Sequence, residues 1–138
     1  MTRLSWERYA LGIATAAALR SEDPYHRVGT ALLREDHSIA AVGYNGAPSG
    51  VELDWTDRDA RRAMVIHAEA NALRFVRPGE IALLATTMMS CQTCILLAAA
   101  YRIPRIVYRE ELDPKVYDRR AIIEVADKCG IIIDNIRS

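Results

Sequence analysis

Ile81-Ala-Leu-Leu-Ala-Thr-Thr87, Cys91-Gln-Thr-Cys-Ile-Leu-Leu-Ala-Ala-Ala-Tyr101 and Arg105-Ile-Val-Tyr108 follow one another closely, and their reading decides the fold. The first and third are short apolar runs that read as strands. The middle one reads as a helix, apolar nearly all round and therefore expected to be buried. Strands alternating with helices call for parallel pairing with the helix as crossover. The alternation continues downstream. A helix from Val116 or Asp118 to Lys128, with Gly130 suited to its left-handed C-terminal position, leads into a strand at Ile131 to Asp134.

Upstream the pattern changes. Leu4, Ala10, Leu11, Ala14, Ala17 and Ala18 recur at helical spacing, so Ser5 to Arg20 reads as a helix. Ser21-Glu-Asp-Pro24 ends it, because a residue before proline avoids the helical region. Val28 to Leu33 and Ile39 to Tyr44 flank a polar, turn-like Arg34 to Ser38 and predict an antiparallel hairpin. Asn45-Gly-Ala-Pro-Ser-Gly50 is dense in turn residues. Val51 to Val65, with its charged centre Asp57 to Arg62, reads as a connecting segment. Ile66 to Val76 reads as a helix closed by Pro78-Gly79. The sum is an α/β domain over residues 1–138, with a five-stranded mixed sheet sandwiched by helices.

Composition narrows the function. The 138 residues are 51% hydrophobic and 26% charged, which suits one folded domain with a real core. Eighteen basic and 18 acidic side chains leave a formal net charge of zero, so no whole-molecule field holds a polyanion, and nucleic-acid binding is disfavoured. Sixteen of the 18 basic residues are arginine, for which coding bias is the blander explanation. No segment approaches the ~20 apolar residues that span a bilayer. The N-terminus lacks a signal-peptide layout, so a cytoplasmic protein is expected. Three cysteines are too few for a disulfide framework and are expected to be thiols or metal ligands.

The chemistry-bearing residues sit at two predicted helix starts: His67-Ala68-Glu69 and Cys91-Gln-Thr-Cys94. One imidazole and two thiolates supply three ligands for a tetrahedral Zn²⁺ and leave the fourth position to water, as a catalytic zinc site requires. A helix N-terminus favours thiolates. Glu69 can face that water without ligating the metal, take its proton and return it to a leaving amine. A purely structural zinc site would want a fourth protein ligand. Of the remaining candidates, Cys129 reads as a buried structural residue and His37 as a solvated turn residue.

His-x-Glu followed by Cys-x-x-Cys is the signature of zinc nucleobase deaminases. Other segments agree in order: Ser21-Glu-Asp-Pro24 with Arg27-Val-Gly29, Gly43-Tyr-Asn-Gly46 with Pro48 and Gly50, and His67-Ala-Glu69 with Asn71-Ala72. From about Ser5 to Asp134 the chain resembles the cytidine/deoxycytidylate deaminase superfamily, and within it the deoxycytidylate (dCMP) deaminases. The resemblance implies a cytidine-deaminase-like three-layer α/β/α sandwich. It implies Zn²⁺ on His67, Cys91 and Cys94, with Glu69 as proton shuttle. Asn45, Ala68, Ser90, Ser21 and Arg27 are the implied substrate-binding positions. Gly43, Tyr44, Asn45 and Gly46 are the implied allosteric positions, for activation by dCTP and inhibition by dTTP. A homo-oligomer, commonly a hexamer, is also implied.

The chain departs from the family pattern at a few places. Ser90 replaces the usual proline before the first cysteine, and as a good N-cap it is expected to preserve the helix start. Met88 and Met89 replace a leucine and a small or polar residue, and Tyr25-His26 replaces small polar residues, so a reshaped pocket is expected. For phosphate recognition Ser21, Arg27 and the Gly46 to Gly50 loop compete with Arg58, Arg61 and Arg62. Tyr44 or Trp55 is a candidate to stack on a base, with packing the blander role for both. The expected reaction is deamination of dCMP to dUMP and ammonia. The rival substrates are dCTP, 5-substituted dCMP, deoxycytidine or another nucleoside, and a free base such as guanine. The rival from another class is an inactive, zinc-containing deoxynucleotide sensor.

Overall fold

The computed structural model describes residues 2–137. In chain order the elements are α1 (Trp6–Ala18), β1 (Gly29–Arg34), β2 (Ile39–Tyr44), α2 (Arg58–Met64), α3 (Ala68–Leu73), β3 (Ile81–Met88), α4 (Gln92–Ala100), β4 (Arg105–Glu110), α5 (Arg119–Lys128) and β5 (Ile132–Asn135). The sheet order is β2-β1-β3-β4-β5. β1 pairs antiparallel with both β2 and β3, while β3, β4 and β5 run parallel. The mixed five-stranded sheet is therefore the one the sequence predicts.

Period-two alternation sorts the core onto two faces. Leu33, Leu83, Ala85 and Val107 point to one side, where Ala10 and Leu11 of α1 cover them. Their neighbours Leu32, Leu84 and Ile106 point to the other side, against Ala72 and Leu73 of α3, Ile95 and Ala98 of α4, and Ile122 and Ala126 of α5. Helix, sheet and helices make three layers. Glycine permits the closest approaches. A Cβ on Gly29 would lie 1.8 Å from the Ala14 carbonyl oxygen of α1, and one on Gly43 would lie 2.6 Å from the Ala72 nitrogen of α3.

Four expectations need correction. The segment read as a connection contains α2, which has no buried residue and hence no apolar periodicity to betray it. α4 is not buried all round, since Leu96 is 49% exposed. Cys129 is an exposed residue at the C-cap of α5 rather than a buried one. Cys91, not Ser90, is the N-cap of α4, and the Ser90 side chain is buried. His37, at φ 70°, is exposed as expected and stacks on Trp6, with ring centroids 4.2 Å apart.

Candidate active site

Two helix starts converge at the ends of β2 and β3. His67 is the N-cap of α3 and Cys91 the N-cap of α4; both have extended backbones, and neither uses its side chain to cap. Cys94 sits one turn into α4. The His67 Nδ1 lies 3.3 Å from Cys94 Sγ and 3.6 Å from Cys91 Sγ. Tetrahedral zinc, with Zn–S near 2.3 Å and Zn–N near 2.0–2.1 Å, requires a nitrogen–sulfur separation of about 3.6 Å. The three donors thus fit a zinc ion in both chemistry and spacing, all lying within 4.8 Å of one another. The imidazole and the two thiols contend for the same protons. The Cys94 thiol and the His67 imidazole hydrogen-bond to Cys91 and bring it down to about 4, while the Cys91 thiolate and burial push Cys94 up. The same contact with Cys91 raises His67. A divalent metal takes the place of those shared protons.

Glu69 stands two residues into this arrangement, only 4% exposed. Burial pushes its carboxyl up; the Ser90 hydroxyl, its own N–H and the His67 charge act in the opposite direction. A buried carboxyl with raised proton affinity beside a metal site is suited to carry protons in both directions. Glu69 opens on a cavity of about 400 Å³, whose wall includes Asn45, His67, Ala68, Met88, Arg58 and Tyr117.

The Gly43 to Gly46 segment holds this helix in place. Gly43 packs under α3, and the Tyr44 carbonyl accepts from Asn71 Nδ2 at 2.8 Å. Gly46 and Ile66 exchange two backbone hydrogen bonds, of 3.1 and 2.8 Å, one residue before His67. The Asn45 side chain is fully engaged as a donor: Nδ2 donates to His26 O at 2.8 Å and Asp23 Oδ2 at 3.2 Å, while Oδ1 accepts from Val28 N at 2.9 Å.

Among the expected substrate residues, Asn45 and Ala68 line the cavity, and Ser90 lies behind Glu69. Ser21 is buried with its hydroxyl donating to the Asn45 carbonyl at 2.9 Å, and Arg27 is exposed outside the cavity wall. Of the implied allosteric positions, Tyr44, Asn45 and Gly46 line a second cavity of about 640 Å³ together with Arg20, Pro48 and Trp55, whereas Gly43 does not. Met88 lines the first cavity, and Met89 is a core residue at 2% exposure that reaches the same wall. Two contributors were missed in the sequence. Leu112 to Tyr117 supplies part of the cavity rim. Asp23 binds the Tyr25 and His26 N–H groups and the Arg61 guanidinium, and its only sequence signal was its place in Ser21-Glu-Asp-Pro24.

The family model of the cytidine and deoxycytidylate deaminase zinc-binding region matches residues 4–110. The chain belongs to that family. It is a zinc-dependent deaminase, and His67, Cys91 and Cys94 form the donor cluster that fits its metal. A deoxycytidylate deaminase of Mycobacterium phage D29 is 36% identical over 129 residues, covering 80% of this chain and 99% of the phage protein. A probable deoxycytidylate deaminase of Caenorhabditis elegans is 32% identical, over 75% of this chain and 56% of its own length. The dCMP deaminase of cyanophage S-TIM5, solved with dCMP and dUMP, superimposes with a TM-score of 0.78 at 23% identity, over 99% of this chain and 100% of that one. That likeness establishes the three-layer deaminase fold. No helix among the described residues is long and apolar enough to cross a membrane.

Proposed function

We propose that this deaminase hydrolyses the 4-amino group of dCMP, yielding dUMP and ammonia. The observation that carries the proposal is the buried Glu69 carboxyl beside a three-donor zinc cluster, lining a cavity whose wall also carries arginines. The D29 relative, alike over nearly its whole length and named a deoxycytidylate deaminase, supports the substrate. Zinc held by His67, Cys91 and Cys94 supplies Lewis acidity, which draws the pKa of a water toward about 7. Glu69 takes a proton from the attacking water and delivers it to N3 of the cytosine. This makes C4 electrophilic. As the C4–N bond breaks, Glu69 hands the second proton to the departing amine. Water thus supplies the new carbonyl oxygen; one of its hydrogens stays on N3 of the product and the other, released from the hydroxyl added at C4, leaves with the ammonia. Met88 and Ala68 shape the wall against which the base is held.

The family resemblance supports a cytoplasmic homo-oligomer, commonly a hexamer, regulated by dCTP and dTTP. The cavity walled by Tyr44 and Gly46 supports that reading, as a space an effector nucleotide could occupy. Free thiols at Cys91, Cys94 and Cys129 suit a reducing compartment.

Ammonia release by zinc-loaded protein, measured on dCMP, deoxycytidine, dCTP, CMP and guanine with and without dCTP or dTTP, tests the reading. Turnover of dCMP that falls by about 10⁴-fold in Glu69→Ala, with zinc retained, is the expected result. Turnover of a different amine with dCMP inert would replace the substrate. Zinc at one per chain with no turnover would favour the nucleotide sensor.

A further inference from the structure

Three arginines of α2 stand at the cavity wall, and they are not equivalent. Arg61 is committed: its Nε and Nη2 lie 2.8 and 2.7 Å from Asp23 Oδ2, and the two side chains are 17% and 0% exposed. Its charge is already balanced by a buried carboxylate. Arg62 reaches Asp59 at 3.4 Å, with both side chains largely in water at 65% and 96% exposure. Such a pair neither fixes the guanidinium nor contributes much. Arg58 has no counter-charge: among the described residues it makes neither an ion pair nor a side-chain hydrogen bond. It is nevertheless held in place, its guanidinium 4.4 Å from the centroid of the Tyr25 ring, on which Arg61 also rests at 5.2 Å. Tyr25 is anchored in turn by its N–H, which donates to Asp23 Oδ1 at 2.8 Å. Asp113, another carboxylate on the cavity wall, accepts from Lys115 N and pairs with none of these arginines.

We propose that Arg58, seated on Tyr25, reads the 5′-phosphate of the substrate and so separates the nucleotide from the nucleoside. The inference rests on the reading of this site as a dCMP deaminase. Two guanidinium groups share one aromatic ring; Asp23 offsets one of the two charges, and an incoming phosphate offsets the other. A guanidinium already ordered on a ring surrenders less side-chain freedom on binding than a solvated one, and its planar fork matches a phosphate edge. Arg61 and Tyr25 are positioning residues, fixing where Arg58 stands.

The test compares kcat/KM for dCMP and for deoxycytidine in the wild type, Arg58→Gln, Arg58→Lys and Arg62→Gln, each checked for one zinc per chain. Arg58→Gln should shrink the preference for dCMP by about 10- to 100-fold, mainly through KM, as expected for loss of hydrogen bonds to a charged group. Arg58→Lys should restore part of it, because a lysine keeps the charge but not the fork. Rising salt should raise the dCMP KM more steeply in the wild type than in Arg58→Gln. A preference that survives Arg58→Gln, or that vanishes in Arg62→Gln instead, overturns the assignment. Calorimetric binding of dUMP against deoxyuridine reads the same discrimination without turnover. A wild type inert toward dCMP would therefore refute the catalytic reading, while the dUMP comparison still decides Arg58.

Discussion

Replacing Gly43 by alanine puts one methyl group between β2 and the helix that begins at His67. The added Cβ would lie 2.6 Å from the Ala72 nitrogen and 2.7 Å from the Ala68 carbonyl oxygen. Both are backbone atoms of α3, so no flexible side chain can swing aside. Ordinary contact requires strand and helix to separate by roughly 0.5–1 Å. Overpacking of a tight core site costs typically 1–3 kcal/mol, and a backbone-on-backbone clash belongs at the upper end, about 3 kcal/mol. With a urea dependence of about 1–3 kcal/mol per molar, the denaturation midpoint should fall by about 1 M or more.

The same displacement moves His67 and Glu69 while Cys91 and Cys94 stay on α4. Misplacement of catalytic groups by about 1 Å is worth about 10²-fold in rate. Gly43→Ala is therefore expected to lose both stability and kcat with dCMP, whereas Gly46→Ala, whose Cβ meets nothing within 4 Å, should change stability little. Urea titration and steady-state kinetics on the two variants decide the matter. A Gly43→Ala protein within 0.5 kcal/mol of wild type and of equal kcat would refute the packing argument. It would return Gly43 to the effector role that the family resemblance implied.

Cys94→Ser should lower zinc content well below one per chain and abolish the loss of thermal stability that a chelator causes in the wild type; stoichiometric zinc in the variant would show that the ligand is misassigned. The Asp23 carboxyl feels burial pushing it up, but Arg61 and the N–H groups of Tyr25 and His26 outweigh that and hold it below its ordinary value. A depressed folded value means that the stabilisation is complete above the unfolded value near ~3.9 and drains away as pH falls through the folded one. Asp23→Asn should therefore cost about 3 kcal/mol at neutral pH, by stranding a mostly buried guanidinium, and should flatten the acid limb of stability measured from about pH 5 downward. An unchanged acid limb would remove the Asp23–Arg61 pair from the account.

What the sequence disclosed and what it hid follow physical lines. β3, α4 and β4 were legible because each buries a run of apolar residues, and the hairpin because a polar turn separates two such runs. The hairpin's docking, with β1 between β2 and β3, depends on which strand edge meets which, and no local pattern encodes that. α2 escaped notice because it buries nothing; its start is marked only by Asp57, whose side chain accepts from Asp59 N and Ala60 N. α3 ends at Leu73 rather than near Val76, since the last turn closes through shorter-range hydrogen bonds such as Val76 N to Leu73 O. His67, Glu69, Cys91 and Cys94 were legible because their chemistry lies in short motifs. Asp23 was not, because its side-chain partners Arg61 and Asn45 lie 38 and 22 residues away.

The helix starts explain why the metal and the fold belong together. An N-cap side chain normally satisfies an orphan N–H, and its loss costs about 0.5–2 kcal/mol. His67 and Cys91 occupy N-cap positions and cap nothing, since their donor atoms face each other. Other contacts must hold α3 in register while those atoms are kept for a metal. They come from β2 and the chain beyond it: Gly43 under the helix, Tyr44 O on Asn71, and the Gly46–Ile66 pair ahead of His67. On the α4 side, the Met89 N–H donates to Glu110 O at 2.8 Å and pins the chain two residues before Cys91 to β4. The donors are thus brought together by backbone packing and hydrogen bonds that do not involve the ligands. That spacing is the one a tetrahedral metal needs, and contacts other than the ligands themselves support it.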